Sequence, residues 1–202
     1  MEMSELITRS FVFDDLSVEE EGSIIRGHAA VFDQPTNIGN YFEEVIDKRA
    51  FDNCDLKDVM FLVNHNMNSL PLARSTGDSD STMKISIDSK GLCIEARLDT
   101  ENNSDARAFY SAVKRKDITG MSFAFTIREQ SWDRLDTKLP LRKITGIRKV
   151  IEVSGVNRPA YAGTDISARS EENALREIEE ARSKENNSSL ELEKLKIKIL
   201  NL

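Results

Sequence analysis

Two histidines, His28 and His65, are the only imidazoles in the chain, so any histidine-based chemistry must use one of them. Nucleophilic catalysis needs a hydroxyl or thiol beside a base, often with a third group that orients the base. His28 falls inside an apolar-patterned strand. His65 falls at the end of one, among polar Asn64, Asn66 and Asn68 and after the apolar stretch Val59–Val63. A strand end reaches a cleft more readily than a strand centre, which favours His65 as base. Ser122 follows Gly120 at the start of a strand with a strongly apolar opposite face, and a small preceding residue permits the close backbone approach that an oxyanion site requires. On spacing alone the plainer readings lead: His65 as a surface histidine in a turn, and Ser122 as a serine on the solvated face of a strand. Cys93, flanked by Leu92 and Ile94, is a rival nucleophile, although a cysteine between apolar neighbours more often serves packing.

Metal chemistry finds little support. There is no CxxC or HExxH spacing, and the two cysteines, Cys54 and Cys93, make no disulfide framework. No metal or cofactor is expected, and a reduced compartment suits the thiols.

The elements that must position these residues are mainly strands. Leu6–Phe13 and Ser23–Asp33 are expected strands, linked through the acidic turn Glu19-Glu20-Glu21-Gly22. Asp58–His65 is a third. Met83, Ile85 and Ile87 alternate with polar residues, as do Leu92, Ile94, Ala96 and Leu98, and the intervening Ser89-Lys90-Gly91 makes the two a hairpin. A helix capped by Ser104 follows, with Ala106, Phe109, Tyr110 and Val113 at helical spacing. In Met121–Trp132, Phe123, Phe125 and Ile127 alternate, so Ser122, Ala124 and Thr126 face the other way. One or two strands are expected between Leu141 and Val156, ended by Pro159. From about Ser170 the composition turns to Glu, Lys, Arg and Leu without Gly, Pro or aromatics. That predicts a helical tail broken at Asn186-Asn187-Ser188-Ser189, without a sustained heptad.

Of 202 residues, 39% are hydrophobic and 31% charged, enough for one domain and an appendage. The expected division is a domain over 1–169 and a charged tail over 170–202. The net charge of −7 argues against a nucleic-acid partner. The clusters Lys114-Arg115-Lys116 and Arg142-Lys143 with Arg148-Lys149 are expected on a solvated face. No apolar run spans a membrane, and no secretory leader is expected at the N-terminus.

An ordered set of segments runs through the chain: Gly27-His28-Ala29-Ala30-Val31-Phe32, Ala50-Phe51, Asn64-His65-Asn66, Leu72-Ala73-Arg74, Gly91-Leu92, Thr119-Gly120-Met121-Ser122-Phe123-Ala124-Phe125, Glu152-Val153-Ser154 and Pro159-Ala160. Over about residues 8–165 this resembles the prohead (capsid maturation) serine proteases of tailed bacteriophages. Lys48-Arg49 stand where that family often has Pro-Gly, and Ala73 where Gly is common.

The resemblance implies an α+β fold: a β-barrel core with flanking helices, similar to the herpesvirus assembly proteases, plus the C-terminal helical tail. It implies a serine endopeptidase acting inside the immature capsid in the host cytoplasm, cutting scaffold protein, the scaffolding segment of the major capsid protein, or itself. Major capsid protein and scaffold protein are the implied partners, with homo-oligomerisation left open. His65 maps to the catalytic base, Ser122 to the nucleophile, and His28 to a structural position. Glu152 is the expected third member, a carboxylate able to accept from the histidine and fix its tautomer. Backbone amides, with Arg142 or Arg148, are the expected oxyanion donors. A module that keeps the fold without activity is the alternative, and a Cys93 hydrolase a third reading.

Overall fold

A computed structural model describes residues 6–12, 15–19, 21–157 and 168–200. Eleven strands and two helices are present among them. The mixed α and β composition is as expected, with strands predominating.

The strands pair into two sheets, one of seven strands and one of four, and these do not close into the expected barrel. In the larger sheet, β1 (Leu6–Val12) lies along β10 (Gly120–Asp133), which forms a long hairpin with β11 (Leu141–Val156). The far side of β11 is shared. Its first part takes β5 (Phe42–Ile46) in parallel, with β4 (Thr36–Ile38) outside. Its last part takes β6 (Val59–Val63) in parallel, with β7 (Ala73–Ser75) outside. The smaller sheet runs β2 (Ser17–Glu19), β3 (Ile24–Val31), β9 (Gly91–Arg97), β8 (Met83–Ile87). The expected hairpin is β8–β9. The two N-terminal strands part company: β3 pairs with β2, whereas β1 crosses to the other sheet.

The core lies between the sheets. Phe123 and Phe125, two apart on β10, stack face to face with centroids 4.4 Å apart. They join Val150, Val153, Ile25, Ile94 and Phe61 in one buried cluster. Alternation thus turns one face of β10–β11 into the core and leaves Ser122, Ala124, Glu152 and Ser154 on the other.

Helix α1 (Ser104–Lys114) buries Ala106, Phe109 and Val113. Its cap is Asn103, one residue before the expected Ser104. The Asn103 side chain accepts from the amides of Asp105 and Ala106, the task of an N-cap. Phe109 packs edge-on to Phe61 at 5.4 Å and against Gly155, where an added Cβ would sit 2.3 Å from the ring. Gly155 therefore lets α1 close beneath the ends of β6 and β11.

Helix α2 (Ala168–Leu200) runs without the expected break at 186–189. Its first turns are not a free tail. Ile178 is buried with Ile38 and Phe42, beside Tyr41 and Trp132, and Arg182 donates to the carbonyl of Leu135 at 2.9 Å. Farther along, Leu190, Leu192, Ile197 and Ile199 are exposed. Pro159, the expected strand stop, lies outside the described residues.

Candidate active site

Residues opposite one another in an antiparallel pair share a face. Ser122 lies opposite Ser154, and Ala124 opposite Glu152, which gathers two hydroxyls and a carboxylate on the face turned from the core. Parallel pairing of Ser154 with Leu62 and Gly155 with Val63 then brings the end of β6 alongside. The chain turns over that face at Asn64 and His65, both in the left-handed region with φ of 50° and 58°. Asn and His are among the non-glycine residues that enter this region most readily, and surrounding contacts hold both there. Here the Asn64 amide donates to the Gly155 carbonyl at 3.0 Å, and the Asn64 side chain accepts from the Asn157 amide at 3.0 Å.

The turn delivers the His65 ring to Glu152, with Nδ1 2.6 Å from Oε1. Glu152 is 1% exposed. Its other oxygen, Oε2, accepts from the Ser154 hydroxyl at 2.6 Å, and Ser154 Oγ in turn accepts from the His65 amide at 3.1 Å. With the carboxylate able only to accept, Nδ1 carries the proton and Nε2 is left as the basic nitrogen. His65 Nε2 is buried and has no hydrogen-bond partner among the described residues. Buried polar atoms are nearly always paired, so this nitrogen is an exception among the described residues.

Ser122 has no exposed surface. Its hydroxyl donates to the Arg9 carbonyl on β1 at 2.9 Å. The three expected residues are therefore placed as follows: His65 and Glu152 are in direct contact, and Ser122 shares their sheet face with its hydroxyl turned to the neighbouring strand.

A family model described as the caudovirus prohead serine protease matches residues 12–179. The chain belongs to that family. No curated protein and no solved structure matches it. The matched span of this prohead protease chain takes in β10, β11, the His65 turn and the first turns of α2, and stops short of most of β1.

Other sequence candidates lie elsewhere in the prohead protease fold. Arg142 is not an oxyanion donor: it sits at the opposite end of β11, buried against Glu44 at 3.4 Å and Glu177 at 3.0 Å, near the rings of Phe42 and Trp132. Nor is it on a solvated face. Arg148 is exposed on β11. Lys143 and Lys149 pair with Asp133 and Asp55, and Arg115 with Asp117.

His28 belongs to the four-stranded sheet, with Nδ1 2.7 Å from Asp15 and Nε2 2.9 Å from Asp88. Cys93 lies across from it on β9, but with carboxylates on both ring nitrogens His28 has none to spare as a base. Burial, then Asp88 and Asp15, push the Cys93 thiol above its ordinary pKa, the reverse of what a reactive thiol needs. Ser154 is the site residue that sequence reading passed over. The signal was present: two residues beyond Glu152 on a strand, it had to share that carboxylate's face.

Proposed function

We propose that this prohead protease is a serine endopeptidase in which Ser122 is the nucleophile, His65 the general base and Glu152 the group that orients the base. The observation that carries the reading is the 2.6 Å contact of His65 Nδ1 with buried Glu152. It supports a proton held on Nδ1, which leaves Nε2 to face the sheet surface that carries Ser122. In the reaction, the Ser122 hydroxyl turns from the Arg9 carbonyl to Nε2 and attacks a peptide carbonyl as its proton passes to Nε2. The C–N bond breaks as His65 returns that proton to the leaving amine. Water, deprotonated by His65, then hydrolyses the acyl-enzyme. Glu152 stabilises the imidazolium that forms at each step.

The family associates with capsid components, so the substrate proposed is scaffold protein or the scaffolding segment of the major capsid protein, and the chain itself. The place of action is the interior of the immature capsid in the host cytoplasm. Among the described residues no helix is long and apolar enough to cross a membrane. The division into a protease domain, 1–169, and a tail, 170–202, is kept with one refinement. Since Ile178 and Arg182 are packed on the domain, the part free to reach a partner lies beyond them. No metal or organic cofactor enters the mechanism.

The test is coexpression of the full chain, or of Ser122→Ala, with the capsid and scaffold proteins of the same phage. Cleavage is expected with the first and none with the second. Cleavage retained by Ser122→Ala sinks the assignment, and absence of cleavage by the unaltered chain under assembly conditions would favour the inactive module.

A further inference from the structure

We propose that Ser154 is a positioning residue of the active site, holding both the carboxylate and the imidazole backbone in register for catalysis. The inference rests on the assignment of His65, Glu152 and Ser122 just made. Its basis is a closed ring of hydrogen bonds. His65 Nδ1 donates to Glu152 Oε1 at 2.6 Å, Ser154 Oγ donates to Glu152 Oε2 at 2.6 Å, and the His65 amide donates to Ser154 Oγ at 3.1 Å. One hydroxyl thus joins the backbone of the base to the carboxylate that orients its ring.

The directions of these bonds are forced. An ionised carboxylate only accepts and a backbone amide only donates, so the hydroxyl between them must donate to the first and accept from the second. Ser154 is fully buried, so water does not take over either bond when the hydroxyl is removed. Glu152 then keeps a single directional contact at Oε1 and is free to rotate about its side-chain torsions. The His65 amide, held in the left-handed region at φ 58°, loses the acceptor that rewards that conformation. Both changes move Nε2 relative to Ser122, which stands opposite Ser154 in the strand register.

Ser154→Ala also tests the carboxylate itself. In Glu152→Gln, the Ser154 proton keeps the amide oxygen on its own side and points the amide NH2 at Nδ1, forcing the wrong tautomer. Removing Ser154 there takes away the constraint rather than adding a new loss.

The experiment uses the full chain packaged in proheads, with capsid-protein processing followed as a first-order rate and protease copies per prohead counted by mass spectrometry. For Ser154→Ala the processing rate is expected to fall about 10- to 100-fold, the scale of a small misplacement of reacting groups, with copy number unchanged. Ser154→Thr, which retains the hydroxyl, is expected to recover most of the rate. In the Glu152→Gln background, Ser154→Ala is expected to cost less than about twofold, the non-additivity of residues that act as a unit. Unchanged processing in Ser154→Ala, with Ser122→Ala inactive, overturns this inference and leaves the parent assignment standing. So does a loss that Ser154→Thr fails to recover or that adds in full to Glu152→Gln. Processing by Ser122→Ala together with none by Ser154→Ala would make Ser154 the nucleophile and overturn both.

Discussion

The hydroxyl of Ser122 is bonded to the carbonyl of Arg9, 2.9 Å away on the neighbouring strand. β1 pairs with β10 from Leu6 opposite Thr126 to Val12 opposite Gly120, so an N-terminal strand lies along the edge of the strand that bears the proposed nucleophile. β1 is itself the outermost strand of its sheet. An edge strand has a single hydrogen-bonded neighbour, although here Arg9 also ion-pairs with Glu44 on β5. Ser122 is fully covered, and local release of β1 would expose it.

That gives a prediction for chemical labelling. A fluorophosphonate that acylates activated serines should label Ser122 slowly in the native chain. The rate should rise severalfold in urea well below the unfolding midpoint, then fall as the His65–Glu152 contact is lost. A rate that stays flat up to global unfolding would show that β1 does not guard the site.

Glu152→Gln should lower processing by about four orders of magnitude, as expected when a triad's orienting carboxylate becomes an amide and the histidine tautomer is wrong. The fold should survive, because the amide replaces the carboxylate atom for atom. The paired measurement is the processing rate with a thermal melt. A loss of less than tenfold would reduce Glu152 to a structural carboxylate.

Much of this arrangement was legible beforehand, for local reasons. Alternation at Phe123 and Phe125 fixes which face Ser122 takes, and the same period on β11 sets Glu152 opposite that face's Ala124. The β8–β9 hairpin and α1 follow from patterns a few residues long. What escaped depends on distant partners. Nothing near Leu6 says that β1 will leave β3 for β10, and no local pattern decides whether sheets close into a barrel. Arg142 read as solvated because its partners, buried Glu44 and half-buried Glu177, lie far off in sequence. The α2 break was expected from the weak helix formers Asn186, Asn187, Ser188 and Ser189, yet the helix continues through them, showing that propensity is a weak prior.

Glu44 should make stability pH-dependent. Burial pushes its carboxyl up, but Arg9 and Arg142 outweigh burial and hold it below the usual carboxylate value. A carboxyl depressed in the folded state contributes stability in full above its unfolded value of about 4.3. That contribution is lost as pH falls through the lower folded value. Glu44→Gln, which takes the charge partner from Arg9 and leaves Arg142 only Glu177, should cost about 3–5 kcal/mol at neutral pH. Urea midpoints of the two chains should converge on acidification toward pH 3. A gap that is constant with pH would assign the effect to packing instead.

Gly155→Ala should destabilise by about 1–3 kcal/mol, the usual cost of overpacking, because the new methyl meets the Phe109 ring at 2.3 Å. A second change, Phe109→Leu, should restore part of the loss. Denaturant midpoints of the single and double variants check this. No recovery would mean that the backbone, and not the ring, gives way.

The cysteines should be silent. Burial raises the Cys54 thiol to about 11, and Cys93 is raised as well, so both are protonated at neutral pH and slow to alkylate. Cys93→Ser should process capsid protein within about twofold of the unaltered chain, because Cys93 lies on the four-stranded sheet, apart from His65 and Glu152. A large loss at Cys93 with retained activity in Ser122→Ala would instead revive the thiol hydrolase, and would move the site from the seven-stranded sheet, where Glu152 holds His65, to the four-stranded one, where His28 stands opposite Cys93.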